Sequence, residues 1–157
     1  MATAQTTVEK GEAVAASSAR TLGNVERVRR SYEASAVGDL PTLLAMLDGE
    51  VEWNMAEHHI FWPGGPFIGP NEVLNGVFAQ IMRTFDGFTV TVTRILGFGD
   101  SVLAEIRYRG TARATGELLD AQAAHVFDFV DGRCVHYQQY TDTWQFAQVT
   151  GLSPISG

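Results

Sequence analysis

The sequence predicts one α+β domain, helices packed on an antiparallel sheet, and three observations predict it. Apolar residues recur at helical spacing as far as Phe85, the period changes to two from Phe88 onward, and Asp131-Gly132 joins the last two alternating runs as a hairpin signal. Helices first and consecutive hairpins afterwards imply an antiparallel sheet rather than a parallel βαβ one. At 157 residues the chain is long enough to bury a core without staples.

The opening stretch, residues 1–20, is rich in Ala, Ser and Thr around Glu9-Lys10-Gly11-Glu12 and is expected to be a mobile tail. It lacks the basic start and apolar centre of a secretory signal, so a cytoplasmic protein is expected. A single domain is placed over 21–150, with a C-terminal tail over 151–157. Leu22, Val25, Val28, Tyr32 and Ala36 form a helical stripe closed by Gly38. Asp39 is placed to cap a short helix carrying Leu40, Leu43, Leu44 and Leu47. Val51, Trp53 and Met55 alternate with Glu52 and Asn54, a strand with one buried face. A loop rich in Gly, Pro and aromatics follows from Ile60 to Gly69. Pro70 then suits the first turn of an amphipathic helix bearing Val73, Leu74, Val77, Phe78, Ile81, Met82 and Phe85. Phe88, Val90 and Val92 begin the alternating half, and Gly99-Asp100 turns it into Val102, Ala104, Ile106 and Tyr108. Strands over about 121–130 and 133–141 flank Asp131-Gly132. Asp142 with Gln145 has the form of a capping box opening a last helix through Trp144, Phe146 and Val149.

Charge and composition exclude several functions. The net charge of −7 argues against nucleic acid and anionic membrane partners, which need a basic surface. Arg27, Arg29 and Arg30 read as a solvated helix face. The lone Cys134, in an apolar strand, permits no internal disulfide and reads as a buried, inert thiol. Gly64-Gly65-Pro66 lacks the Lys and the strand–helix context of a phosphate loop. No apolar run approaches the ~20 residues that span a membrane.

The order Gly69-Pro70, Gly110-Thr111, Thr115-Gly116, His125-Val126-Phe127, Asp131-Gly132-Arg133 and Tyr140-Thr141-Asp142-Thr143 resembles the nuclear transport factor 2-like superfamily, in its SnoaL-like, ketosteroid-isomerase-related branch. The resemblance runs from about Leu22 to Val149. It implies a conical, cystatin-like fold whose curved sheet and helices enclose one pocket for a small, largely apolar molecule. It also implies a homodimer built on the outer sheet face and cofactor-free isomerase or cyclase chemistry on a carbonyl compound. A non-catalytic pocket protein is the alternative, because this fold hosts many functions. In SnoaL-type cyclases a histidine on the penultimate strand precedes an acid/base aspartate, and those positions fall on His125 and Gln139. Glutamine does not take up a proton, so the usual cyclase mechanism does not carry over intact.

Whether His125 faces a pocket depends on the hairpin. A two-residue Asp131-Gly132 loop sets His125 opposite Gln138, on a face with His136 and Tyr140. A three-residue loop sets it opposite Tyr137, on a face with Val135 and Gln139. The second is favoured, because Phe127, Val135 and Tyr137 then make an apolar wall. His125 is the candidate base or polarising group, Glu57 a second candidate, and Gln139 and Tyr137 or Tyr108 candidate hydrogen-bond partners of an enolate oxygen. If the strand alternation persists, Glu57 and His59 point with Trp53. Tyr32, Trp53, His59, Trp62, Tyr108, Phe127 and Tyr137 are the candidate substrate-binding residues. Adjacent His58 and His59 diverge on an extended strand, so no metal site is expected.

Overall fold

The computed structural model describes residues 2–153, with side chains from Lys10 onward. Helix α1 (Ala2–Ala36) and the short α2 (Leu40–Leu44) precede β1 (Leu47–Asn54) and β2 (Phe67–Ile68). A helical run follows: α3 (Gly69–Val73), a π-helical turn at Leu74–Phe78, and α4 (Ala79–Thr84). Strands β3 (Phe85–Phe98), β4 (Ser101–Ala112), β5 (Leu118–Val130) and β6 (Arg133–Thr141) then lead to α5 (Thr143–Thr150). The six strands form one sheet in the order β2-β1-β6-β5-β4-β3. This is the expected α+β architecture of helices over a curved sheet. One pairing departs from the antiparallel expectation: β1 runs parallel to β6, while all other neighbours are antiparallel. The whole β3–β6 meander intervenes between these two, so β6 returns beside β1 in the same direction.

The N-terminal helix begins at Ala2, so the segment expected as a tail is helical, in keeping with its alanine content. Of the expected C-terminal tail, Gly151 closes α5 in the left-handed conformation (φ 69°), and residues 154–157 lie outside the described residues. The buried line of α1 is Asn24, Val28, Ser31 and Ala34, whereas Leu22 is 69% exposed. Val28 of the predicted stripe is fully buried and Val25 and Tyr32 pack against the core, so the stripe holds at these three positions, and the polar Asn24 and Ser31 share its inward face. Ser31 satisfies its hydroxyl by donating to the Val28 carbonyl (2.7 Å). Two caps form as expected. The Asp39 carboxylate accepts from the Thr42 amide (3.1 Å), and Asp142 accepts from the Gln145 amide (3.0 Å). Gln145 does not complete the box; its side-chain oxygen accepts from Asp120 N on β5 (2.7 Å), tying α5 to the sheet.

Curvature comes from bulges. Register shifts interrupt β3 between Asp86 and Thr89 and again between Val92 and Arg94, against an unbroken β4. Buried Val102, Ala104, Ile106 and Tyr108 of β4 face the helices together with Ala121, Ala123, His125, Phe127 and Phe129 of β5. The concave face is thus unevenly filled: Ala104 lies opposite His125, and Ala121 opposite Tyr108. Small side chains beside large polar ones leave space between sheet and helices.

The last hairpin resolves differently from both predicted registers. Val130 pairs with Arg133, and Asp131 (φ 48°) and Gly132 (φ 77°) form the two-residue turn with both φ positive. A bulge at Val135 then inserts one extra residue on β6, because Phe129 pairs with Cys134 and Asp128 with His136. His125 consequently pairs with Gln139 and Phe127 with Tyr137. The expected partner Tyr137 is corrected to Gln139. The expected face survives, except that buried Cys134, not the half-buried Val135, belongs to the inner wall.

Candidate functional site

Between α1, the helical run, α5 and the concave sheet lies a cavity of about 570 Å³. Its apolar wall comes from every layer, with Phe78, Ile81, Phe85, Phe88, Phe127 and Phe146 among the lining. One charged side chain lines it: Arg113, which bonds Asp86 at 2.6 Å and is half exposed. Such a site suits a small, largely uncharged molecule.

Polar groups converge on His125, which is 5% exposed at the middle of β5. Its Nδ1 lies 2.7 Å from the Tyr32 hydroxyl of α1, and its Nε2 lies 2.5 Å from the Tyr108 hydroxyl of β4. Gln139 of β6 donates through Nε2 to the Tyr108 oxygen (2.9 Å) and accepts at Oε1 from the Ala56 amide (3.2 Å). One chain of contacts therefore crosses from the loop after β1 through β6, β4 and β5 to α1. Tyr137 stacks on Trp53 with ring centroids 3.6 Å apart and meets His125 edge-on at 5.1 Å.

Burial sets the charge state of this cluster. It pulls the His125 imidazole down to about 3, so the ring is neutral at pH 7. The Tyr32 and Tyr137 phenols are pushed well above their ordinary range by the same desolvation. Tyr108 is also raised by burial, in part offset by hydrogen bonds from Gln139 and Tyr137. His59, 1% exposed, falls to about 4 through burial. Its Nδ1 accepts from the Phe61 amide (3.1 Å), while Nε2 is buried without a partner. The Trp53 indole N–H is likewise buried and unpartnered.

The cavity gathers most of the residues singled out from the sequence: Tyr32, Trp53, His59, Tyr108, His125, Phe127, Tyr137 and Gln139 all line it. Two do not. Glu57 is exposed and outside the lining. Strand β1 ends at Asn54, and the His59 amide bonds back to the Ala56 carbonyl (3.0 Å), so the alternation that would have aimed Glu57 inward is broken by a turn. His58, at the tip of that turn, takes a positive φ of 61°. Trp62 is half-buried beside His58 rather than in the cavity wall. Ser31, Ser35, Met55 and Arg113 line the cavity without having been singled out. The serines and methionine carry no pattern separating a cavity wall from a core, and Arg113 follows the end of β4, where alternation gives no guide. Among the described residues no group of three or more His, Cys, Asp or Glu side chains is arranged to hold a metal ion, and no helix is long and apolar enough to cross a membrane.

Comparison with known proteins places this geometry in context. Residues 28–137 match the family model of the SnoaL-like domain. A comparison with curated proteins finds no match. Among solved structures, a protein of Burkholderia thailandensis described as NTF2-like is 29% identical, with a TM-score of 0.76, over 80% of this chain and 95% of that one. A putative SnoaL-like polyketide cyclase from Jannaschia sp. CCS1 has a TM-score of 0.71 at 17% identity, covering 83% of this chain and 93% of its own. A putative isomerase from Bacillus subtilis has a TM-score of 0.73 at 16% identity, covering 87% and 99% respectively. At these identities the last two establish likeness of fold.

Proposed function

The chain belongs to the SnoaL-like domain family, and from that premise we propose that it is an isomerase- or cyclase-type enzyme that polarises the carbonyl oxygen of a small, largely apolar compound. One observation carries the reading: a neutral imidazole held between two tyrosine hydroxyls on the wall of a mostly apolar cavity. Charge developing on an oxygen there would meet hydrogen-bond donors already positioned in a water-poor site, where they are worth far more than in bulk water. His125 then acts with its tyrosines as a polarising unit, and Trp53, Phe127 and Tyr137 hold the apolar body. No cofactor enters this chemistry, and a cytoplasmic homodimer joined across the outer sheet face, where Leu96 and Tyr140 are exposed, completes the reading.

A second reading is favoured by the same hydrogen bonds. Both His125 nitrogens are already engaged, and Glu57, the other candidate base, lies outside the cavity. A pocket protein that holds a hydrophobic metabolite without converting it needs no base.

Native mass spectrometry of the purified protein, followed by α-proton exchange of 2-tetralone in D2O, separates the two. An enzyme that polarises the ketone accelerates exchange, with solvent water taking and returning the α-proton, and His125→Phe removes the acceleration while the ketone still binds. Binding with exchange at the uncatalysed rate would reject the enzymatic reading and leave the binding one.

A further inference from the structure

The directions of the hydrogen bonds in the cavity wall follow from two backbone amides. A peptide N–H only donates, so the Ala56 amide requires the Gln139 oxygen to face it. The Gln139 NH2 group must then face Tyr108, and the Tyr108 oxygen accepts. With both lone pairs of its oxygen taken, by Gln139 and by the Tyr137 hydroxyl, the Tyr108 proton is directed to His125 Nε2, which supplies its lone pair. A neutral imidazole has one lone pair and one proton, so Nδ1 carries the N–H and donates to the Tyr32 oxygen. The Tyr32 proton is left over, on a residue that lines the cavity and has no other hydrogen-bond partner among the described residues. The second amide acts in the same way on the other histidine. Phe61 N–H occupies the Nδ1 lone pair of His59, so its proton sits on Nε2.

We propose that the Ala56 and Phe61 amides, through Gln139 and His59, make this a donor cavity with no free imidazole lone pair, so that its ligand is an oxygen acceptor met by the Tyr32 hydroxyl. Trp53 Nε1–H and His59 Nε2–H, on residues of the same wall, are buried donors and add no lone pair to it. A ketone, enolate or phenolate oxygen fits; an amine, or an alcohol acting only as donor, does not. Gln139 and His125 are positioning residues, and Tyr32 is the group that touches the ligand. The inference deepens the function proposed above and rests on it only for its consequence in turnover.

Two measurements test it without any turnover. The first is the tautomer of each histidine, read from 15N chemical shifts of the protein labelled at histidine. His125 is expected as Nδ1–H and His59 as Nε2–H. At a pH where its carboxyl is ionised, Gln139→Glu can only accept and should draw the Tyr108 proton to itself and switch His125 to Nε2–H, leaving His59 unchanged. The second is affinity for three isosteric probes: 9-fluorenone (acceptor), fluorene (neither) and carbazole (donor). Fluorenone should bind about 10-fold more tightly than fluorene, carbazole no more tightly than fluorene, and Tyr32→Phe should abolish the fluorenone advantage alone. His125 found as Nε2–H in the unmodified protein, or carbazole preferred over fluorenone, would overturn the assignment. Donor selectivity with no α-proton exchange would uphold it and remove only the enzymatic reading.

Discussion

Acid should weaken this fold through its two buried histidines, His125 and His59. Both are neutral in the native state, with pKa values held at about 3 and about 4 by burial, against 6.5 for an exposed imidazole. Below pH 6.5 the unfolded chain binds protons that the folded one refuses, so stability falls as the pH falls. Each histidine contributes about 1.4 kcal/mol per pH unit in this window, or ~2 kcal/mol by pH 5. Together they remove ~4 kcal/mol, a large share of the 5–15 kcal/mol typical of a domain. The effect continues to about pH 4 for His59 and about pH 3 for His125. Asp39, Glu105 and Asp120 are held below the usual carboxylate range by Thr42, Arg94 and Arg107, so their contributions are lost only as the pH drops to ~4 and below. Urea titrations at pH 7 and pH 5 measure the effect. His125→Phe should lower absolute stability, because it strands two tyrosine hydroxyls, yet halve the pH-dependent loss. Equal stability at the two pH values would refute the reasoning, as would either imidazole titrating above pH 5 in the folded protein.

Two other perturbations test the packing around the cavity. A Cβ at Gly76, in the π-helical turn, would run into the Phe67 ring, so Gly76→Ala should cost about 1–3 kcal/mol in urea unfolding and far less in a Phe67→Ala background. Cys134 is fully buried with its thiol pushed up to about 12, so a disulfide reagent should label it at least ~1000-fold more slowly in the native protein than in urea, at the rate of transient opening.

Much of this fold is written in local periodicity. The alternation of Val102, Ala104, Ile106 and Tyr108, the Asp39 and Asp142 caps and the Gly99-Asp100 turn all depend on near neighbours, and each is found where the pattern puts it. What stayed hidden depends on distant partners. Glu57 follows an alternating strand, and nothing local announces that the chain turns after Asn54. Asn24 and Ser31 are inward positions of α1 that a hydrophobic stripe passes over. Within the site, His125 could be singled out from its strand, but its two tyrosine partners lie 93 and 17 residues away and become neighbours only when the sheet closes under α1. Pocket walls and solid cores share one composition, so no residue pattern distinguishes Phe78 or Phe146 as cavity lining.

Val135 makes the cavity's chemistry a matter of arithmetic. If that residue entered the ladder opposite Asp128 instead of bulging, β6 would slip by one position, carrying Tyr137 and Gln139 out to the convex side and bringing His136 and Gln138 in. Every catalytic candidate would still be encoded, yet the binding chamber would contain a different set of functional groups. In hairpins of this kind, forming or losing one bulge rewrites specificity more thoroughly than exchanging any side chain.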